Sequence, residues 1–238
     1  MISVVIKRTE EPKVIQMTQS DLVKQLSDIP GAEIILEDTW SEGLKKVRTP
    51  YVSLVEPDCV FSSSYYSSNF GLIRKAHEKK DYTWKTGGGG GYQKLAMIAS
   101  CLGVRDFGNR IYNYELDRVR EAEINGVQMK SWHITPSKVK LNMKLYHVQV
   151  GFVPGAIIRM NAIKNIIEDE LWDGNDLVKL STALSFYLWD SGRRIQVNPN
   201  TTYVSNDKNL EKPPLFEVKV PDRAANIFTR EAIGYIPS

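Results

Sequence analysis

Ile2-Ser3-Val4-Val5-Ile6, then Ala32-Glu33-Ile34-Ile35-Leu36 running into Glu37-Asp38, then Tyr51-Val52-Ser53-Leu54-Val55 running into Glu56-Pro57-Asp58: the fold reading turns on these stretches. Each is a short apolar run, as expected of a strand buried in a parallel sheet. Helical spacing lies between them. Ser20 reads as an N-cap for a helix to Leu26, with Leu22, Val23 and Leu26 apolar and Pro30-Gly31 as the stop. Glu42 to Val47 reads as a short helix ended by Pro50. Strands alternating with helices predict an α/β fold with a mainly parallel sheet.

Further on, Phe61 to Asn69 is rich in serine and leads into a predicted helix near Phe70 to Lys79. Gly87 to Gly91 is an unbroken glycine run. No strand leads into it and no Gly-Lys-Ser/Thr follows, so it reads as a flexible connector or, more sharply, a hinge, and not as a phosphate loop. Tyr92 to Leu102 has helical spacing with Gly103 as its stop. Arg110 to Glu115, Val127 to Ile134 and Val139 to Val150 read as antiparallel strands, and Ile157 to Ile167 as a helix. Asp176 to Ser191 carries the clearest helical face, Leu177, Leu180, Leu184, Tyr187 and Leu188, ended by Gly192. Arg194 to Val197 reads as a strand. The last 34 residues hold four of the eleven prolines and read as a wrapping arm.

The composition narrows the class. The 238 residues are 42% hydrophobic and 25% charged, which argues against global disorder. Thirty-one Lys and Arg against 28 Asp and Glu give +3, too little to demand a nucleic-acid partner. Cys59 and Cys101 are too few for a disulfide scaffold. The longest uncharged stretch, Cys59 to Ile73, is shorter than the roughly 20 apolar residues of a membrane span. The N-terminus lacks the marks of a signal peptide, so the expected place is the cytoplasm.

Three acidic groups can carry chemistry. Glu56-Pro57-Asp58 ends a buried parallel strand, where open α/β sheets bind ligands. The pair is either a polar turn or two carboxylates facing a divalent cation that clamps a diphosphate. Glu37-Asp38 is either a solvated loop or an acceptor for a base or ribose. Asp176, after Trp172-Asp173-Gly174-Asn175, is either an N-cap or a general base at the mouth of a cleft. Arg193-Arg194 and Lys45-Lys46-Arg48 are solvated basic faces or counter-charges for phosphate.

Taken in order, these pieces resemble the GT-A fold glycosyltransferases, most of all family 2. Ile2–Ile6, Glu33–Asp38 and Tyr51–Asp58 resemble the nucleotide-sugar half. Val153-Pro154-Gly155-Ala156-Ile157-Ile158-Arg159 resembles the family's Gly-Ala strand. Asn175-Asp176 with its helix, and Gly192-Arg193-Arg194-Ile195-Gln196-Val197-Asn198-Pro199, resemble the acidic motif and the strand after it. The resemblance implies a GT-A-like domain over residues 1–205, an inserted acceptor-side region at about 76–148, and a C-terminal arm at 206–238. It implies transfer of a sugar from a nucleoside diphosphate sugar to an acceptor hydroxyl, inverting, with Mn or Mg. The acceptor is a glycan or, as an outside case, a modified DNA base. By position, Asp38 would meet the nucleotide, Glu56 and Asp58 would stand for the D-x-D pair and hold the metal, Asp58 the more directly, and Asp176 would be the base, with Asp173 or Glu170 as the alternatives of register. Glu56 stands in place of the first Asp, Asn175 in place of an acid, and Tyr203-Val204-Ser205-Asn206 where a metal-binding His falls in the family. The alternatives are a nucleotidyltransferase or a non-catalytic sugar-nucleotide- or glycan-binding protein.

Overall fold

The computed structural model describes residues 1–57, 59–78, 95–104, 111–124, 127–138, 146–147, 153–168, 172, 174–191, 193–205 and 216–218. The elements run β1 (Ile2–Lys7), α1 (Pro12–Leu26), β2 (Glu33–Glu37), α2 (Trp40–Lys46), β3 (Tyr51–Val55), β4 (Val60–Phe61), α3 (Tyr65–Glu78) and β5 (Leu95–Val104). They continue β6 (Ile111–Ile124), β7 (Val127–Lys138), β8 (Tyr146–His147), β9 (Ile157–Arg159), α4 (Met160–Glu168), α5 (Leu177–Asp190), β10 (Arg194–Ser205) and β11 (Phe216–Val218).

β1 lies between β2 and β3 and is parallel to both. β9 opposes β3, β5 opposes β9, and β10 runs parallel to β5. Across the central sheet, β2, β1, β3, β5 and β10 therefore point one way, β9 between β3 and β5 points back, and the short β4 and β8 oppose β10. This is the mixed, mainly parallel α/β sheet flanked by helices expected from the sequence. A long antiparallel hairpin, β6 with β7, joins it through β5, and β11 pairs with β7.

The apolar runs are explained by two cores, one on each face. Ile2, Val4 and Ile6 enter a core with Leu22 and Leu26 of α1 and Phe70 and Ile73 of α3. Val5 enters the other, with Leu44 of α2, Ile163 of α4, and Leu180, Leu184 and Leu188 of α5. A central strand buried on both sides has no polar face to display, so its sequence does not alternate.

Several local readings are corrected. α1 starts at Pro12, not at Ser20, because a proline in the first turn presets the helical φ, and Ile15 and Thr18 extend the buried face. α3 starts at Tyr65, so the serine-rich stretch is partly its first turns. Tyr92 to Leu102 is not helical where it is described: Leu95 onward is β5. Leu95 to Ser100 is buried at every residue, and periodicity cannot tell such a run from a buried helix. β5 also falls within the 76–148 stretch expected as an insertion, yet lies between β9 and β10. Ile157 to Ile167 is β9 followed by α4. The glycine run 87–91, most of Val139 to Val150 and most of the arm lie outside the described residues.

α2 packs against β1 at Gly43, where an added Cβ would stand 2.2 Å from Val5 Cγ1. Alanine gains about 1 kcal/mol of helix propensity over glycine. Overpacking against a buried β-branched residue costs about 1–3 kcal/mol. Gly43→Ala is expected to lose net stability in urea denaturation, and Val5→Ala in the same chain to recover part of it.

Candidate active site

Register alone brings two of the acidic groups level. Lys7 pairs with Glu37, and Ile6 pairs with Val55, so Asp38 and Glu56 leave the sheet on either side of the end of β1. The amide of Arg8 extends the pairing, donating to the Glu37 carbonyl at 2.7 Å. The Asp38 carboxylate meets Arg8 Nε at 3.2 Å, both side chains being exposed, and Lys46 pairs with Glu37. An exposed pair such as Arg8–Asp38 stabilises by about 0–1 kcal/mol, so it can exchange partners at little cost.

The first turn of α2 ties these ends together. Thr39, immediately after Asp38, is its N-cap and accepts from the Glu42 amide at 3.1 Å. Trp40 is 6% exposed, and its indole N–H donates to the Val55 carbonyl at 3.3 Å, one residue before Glu56. Lys7 Nζ lies 5.1 Å from the Trp40 ring centroid. Ser41 lies under the acidic loop: Gly174 has φ +83°, and a Cβ there would stand 2.7 Å from Ser41 Cβ. Asp176 follows that glycine and precedes α5. Its carbonyl accepts the Trp172 indole N–H at 2.6 Å and the Leu180 amide at 3.0 Å.

Glu56 is half-buried. Its amide donates to the Tyr203 hydroxyl at 3.1 Å, and that hydroxyl donates to Glu56 Oε2 at 3.0 Å. Tyr203 stands in the window where the family resemblance places a histidine. Asp38 thus lies just before the first turn of α2, Glu56 just after the carbonyl that Trp40 holds, and Asp176 two residues after the glycine packed on Ser41, while Asp58, Asp173 and Glu170 lie outside the described residues. Among the described residues no group of three or more His, Cys, Asp or Glu forms a metal cluster. A half-buried carboxylate with one oxygen already hydrogen-bonded is nonetheless donor chemistry that suits a hard divalent cation. Sequence reading missed Trp40, Arg8 and the part played by Tyr203. Only Tyr203 carried a signal, its place in that window.

No protein-family model and no curated protein matches the sequence. Among solved structures, the chain is similar to S. aureus TarS 1-349 at 10% identity and a TM-score of 0.44, covering 86% of this chain and 60% of that one. It is similar to the same TarS segment in complex with UDP-GlcNAc at 10% identity and a TM-score of 0.42, covering 87% and 58%. It is also similar to GalNAc-T7 with UDP, GalNAc and Mn2+ at 9% identity and a TM-score of 0.45, covering 96% and 47%. The chain therefore spans less than two thirds of each of these solved chains. Among the described residues no helix is long and apolar enough to cross a membrane.

Burial pushes the Tyr203 phenol well above its ordinary range, with Cys59 and Glu56 adding to the rise, and burial does the same to Tyr66. A raised folded pKa means the unfolded chain releases these protons first. The stability they contribute is complete below the free phenol value of about 10 and is lost as pH rises above it. Urea midpoints are expected to fall above about pH 10, and to fall less steeply in Tyr66→Phe.

Proposed function

We propose that the chain is a GT-A-type glycosyltransferase that moves a sugar from a nucleoside diphosphate sugar to an acceptor hydroxyl, with inversion. The observation that carries this reading is the meeting of the carboxyl ends of β1, β2 and β3 with the Asp176 loop around the first turn of α2. A cleft at the carboxyl edge of parallel strands is where such sheets bind nucleotides.

Asp38 is the group for the base or ribose. Its exposed pair with Arg8 leaves it able to turn to a hydroxyl. Glu56 and Asp58 would hold Mg or Mn, which when bound neutralises charge on the leaving diphosphate. Asp176 takes the proton of the acceptor hydroxyl as that oxygen attacks the anomeric carbon from the face opposite the diphosphate. The two hydrogen bonds on the Asp176 carbonyl hold its backbone while the carboxylate works. The domain extends over 1–205, and the β6–β7 hairpin shapes the acceptor side. That acceptor is a glycan before a modified DNA base, and the cytoplasm is the setting.

Binding to the native state adds about 2.7 kcal/mol of stability at 100 times Kd. UDP or GDP is expected to raise the melting temperature, more so with Mn, and Asp58→Ala to remove the metal-dependent part. Asp176→Asn keeps its size and can still cap α5. It is expected to cut transfer from a nucleotide sugar by roughly 100- to 10,000-fold, with nucleotide affinity unchanged. Near-normal turnover in Asp176→Asn would move the base to Asp173 or Glu170 or remove the reading. No nucleotide shift with any metal would also sink it.

A further inference from the structure

We infer that Lys7 is a phosphate-binding residue, whose ammonium meets the diphosphate of the nucleotide where it crosses the end of β1. The inference rests on the reading of this edge as a nucleoside diphosphate site. β1 lies between β2 and β3. Lys7 is its last residue, so it stands between the strand that leads into Asp38 and the strand that leads into Glu56. With the base or ribose at Asp38, the phosphates run from the end of β2 toward the end of β3 and pass over β1. Adjacent strands lie roughly 5 Å apart, a step that a ribose and its phosphates can span.

The surroundings of Lys7 fix its place without cancelling its charge. Val5 enters the core beneath α2 and α5, and Lys7, two residues on, leaves the strand on the same face. Glu37 is its register partner on β2 and shares that face. Lys46 of α2 takes that carboxylate, as Arg8 takes Asp38. Among the described residues, Lys7 forms no ion pair with a carboxylate. Its Nζ lies instead 5.1 Å from the centroid of the Trp40 ring. An aromatic face attracts a cation through its quadrupole but carries no net charge, so it holds the ammonium and leaves it able to meet an anion. The platform itself is fixed. Trp40 is 6% exposed, its indole N–H bonds the Val55 carbonyl at 3.3 Å, and Thr39 caps the turn that carries it. Lys7 is half-buried, so part of the entropy that a free lysine stem loses on gripping a ligand is already lost on folding. An ammonium carries three rotatable donors, enough to reach oxygens of both phosphates.

The test is calorimetric titration of the wild-type chain, Lys7→Met and Lys7→Arg with UDP, GDP, uridine and guanosine, each with and without Mn2+. Lys7→Met keeps an unbranched apolar stem beside Trp40 and removes the charge. Losing one charge-assisted hydrogen bond costs roughly 10- to 100-fold in affinity. Lys7→Met is expected to weaken by that amount the diphosphate that the wild-type chain binds, and to leave the matching nucleoside unchanged. Lys7→Arg is expected to keep most of the diphosphate affinity. Unchanged diphosphate affinity in Lys7→Met, or an equal loss for diphosphate and nucleoside, overturns the inference and leaves the transferase reading standing. A wild-type chain that binds neither diphosphate in either buffer removes the transferase reading, and the inference falls with it. If Lys7→Met does not melt cooperatively, or the nucleosides bind too weakly to titrate, acetylation of the wild-type chain decides. With N-hydroxysuccinimide acetate and mass spectrometry, bound diphosphate must shield Lys7 and not Lys24 of α1. Equal acetylation of Lys7 with and without the diphosphate overturns the inference.

Discussion

β1 has no free side. It is hydrogen-bonded to β2 along one edge and to β3 along the other, and its side chains enter a different core on each face. A strand enclosed in this way can present chemistry only past its end. The neighbouring strands run parallel in fixed register, so their ends stop at the same level. Arg8, Asp38 and Glu56 leave the sheet at that edge for the same reason, Asp38 and Glu56 about two strand spacings, roughly 10 Å, apart.

What turns that edge into a site is the return of distant segments to it. Trp40, which opens α2 after β2, bonds the last carbonyl of β3. Gly174 lets the loop before α5 settle on Ser41. Gly155 bonds the Leu54 carbonyl through its amide at 2.7 Å and leaves room for Tyr203. Each approach is closer than a side chain would permit or depends on a single buried donor.

The legible parts of the chain were those where local pattern and final environment agree. β1 and β3 are unbroken apolar runs with polar punctuation after them, and their ends were placed to within a residue. α5 carries a single apolar stripe, and Leu177, Leu180, Leu184 and Leu188 are indeed buried. The positions of Asp38, Glu56 and Asp176 followed from where those elements stop. β5 was misread because every residue from Leu95 to Ser100 is buried, which erases the two-residue period. The start of α1 was missed because Glu11 makes no side-chain cap there and proline does the work instead.

The sequence by itself determined the α/β class, the central parallel strands and the acidic residues at their ends, because burial on two faces and chain-breaking turns are written into local residue type. Only the tertiary structure decided that Trp40 would bind the end of β3 and that Tyr203 would hold Glu56. Those contacts join residues 15 and 147 positions apart. Their existence depends on the register of β10 after its bulge and on two glycines at positive φ, which no local pattern of charge or hydrophobicity encodes.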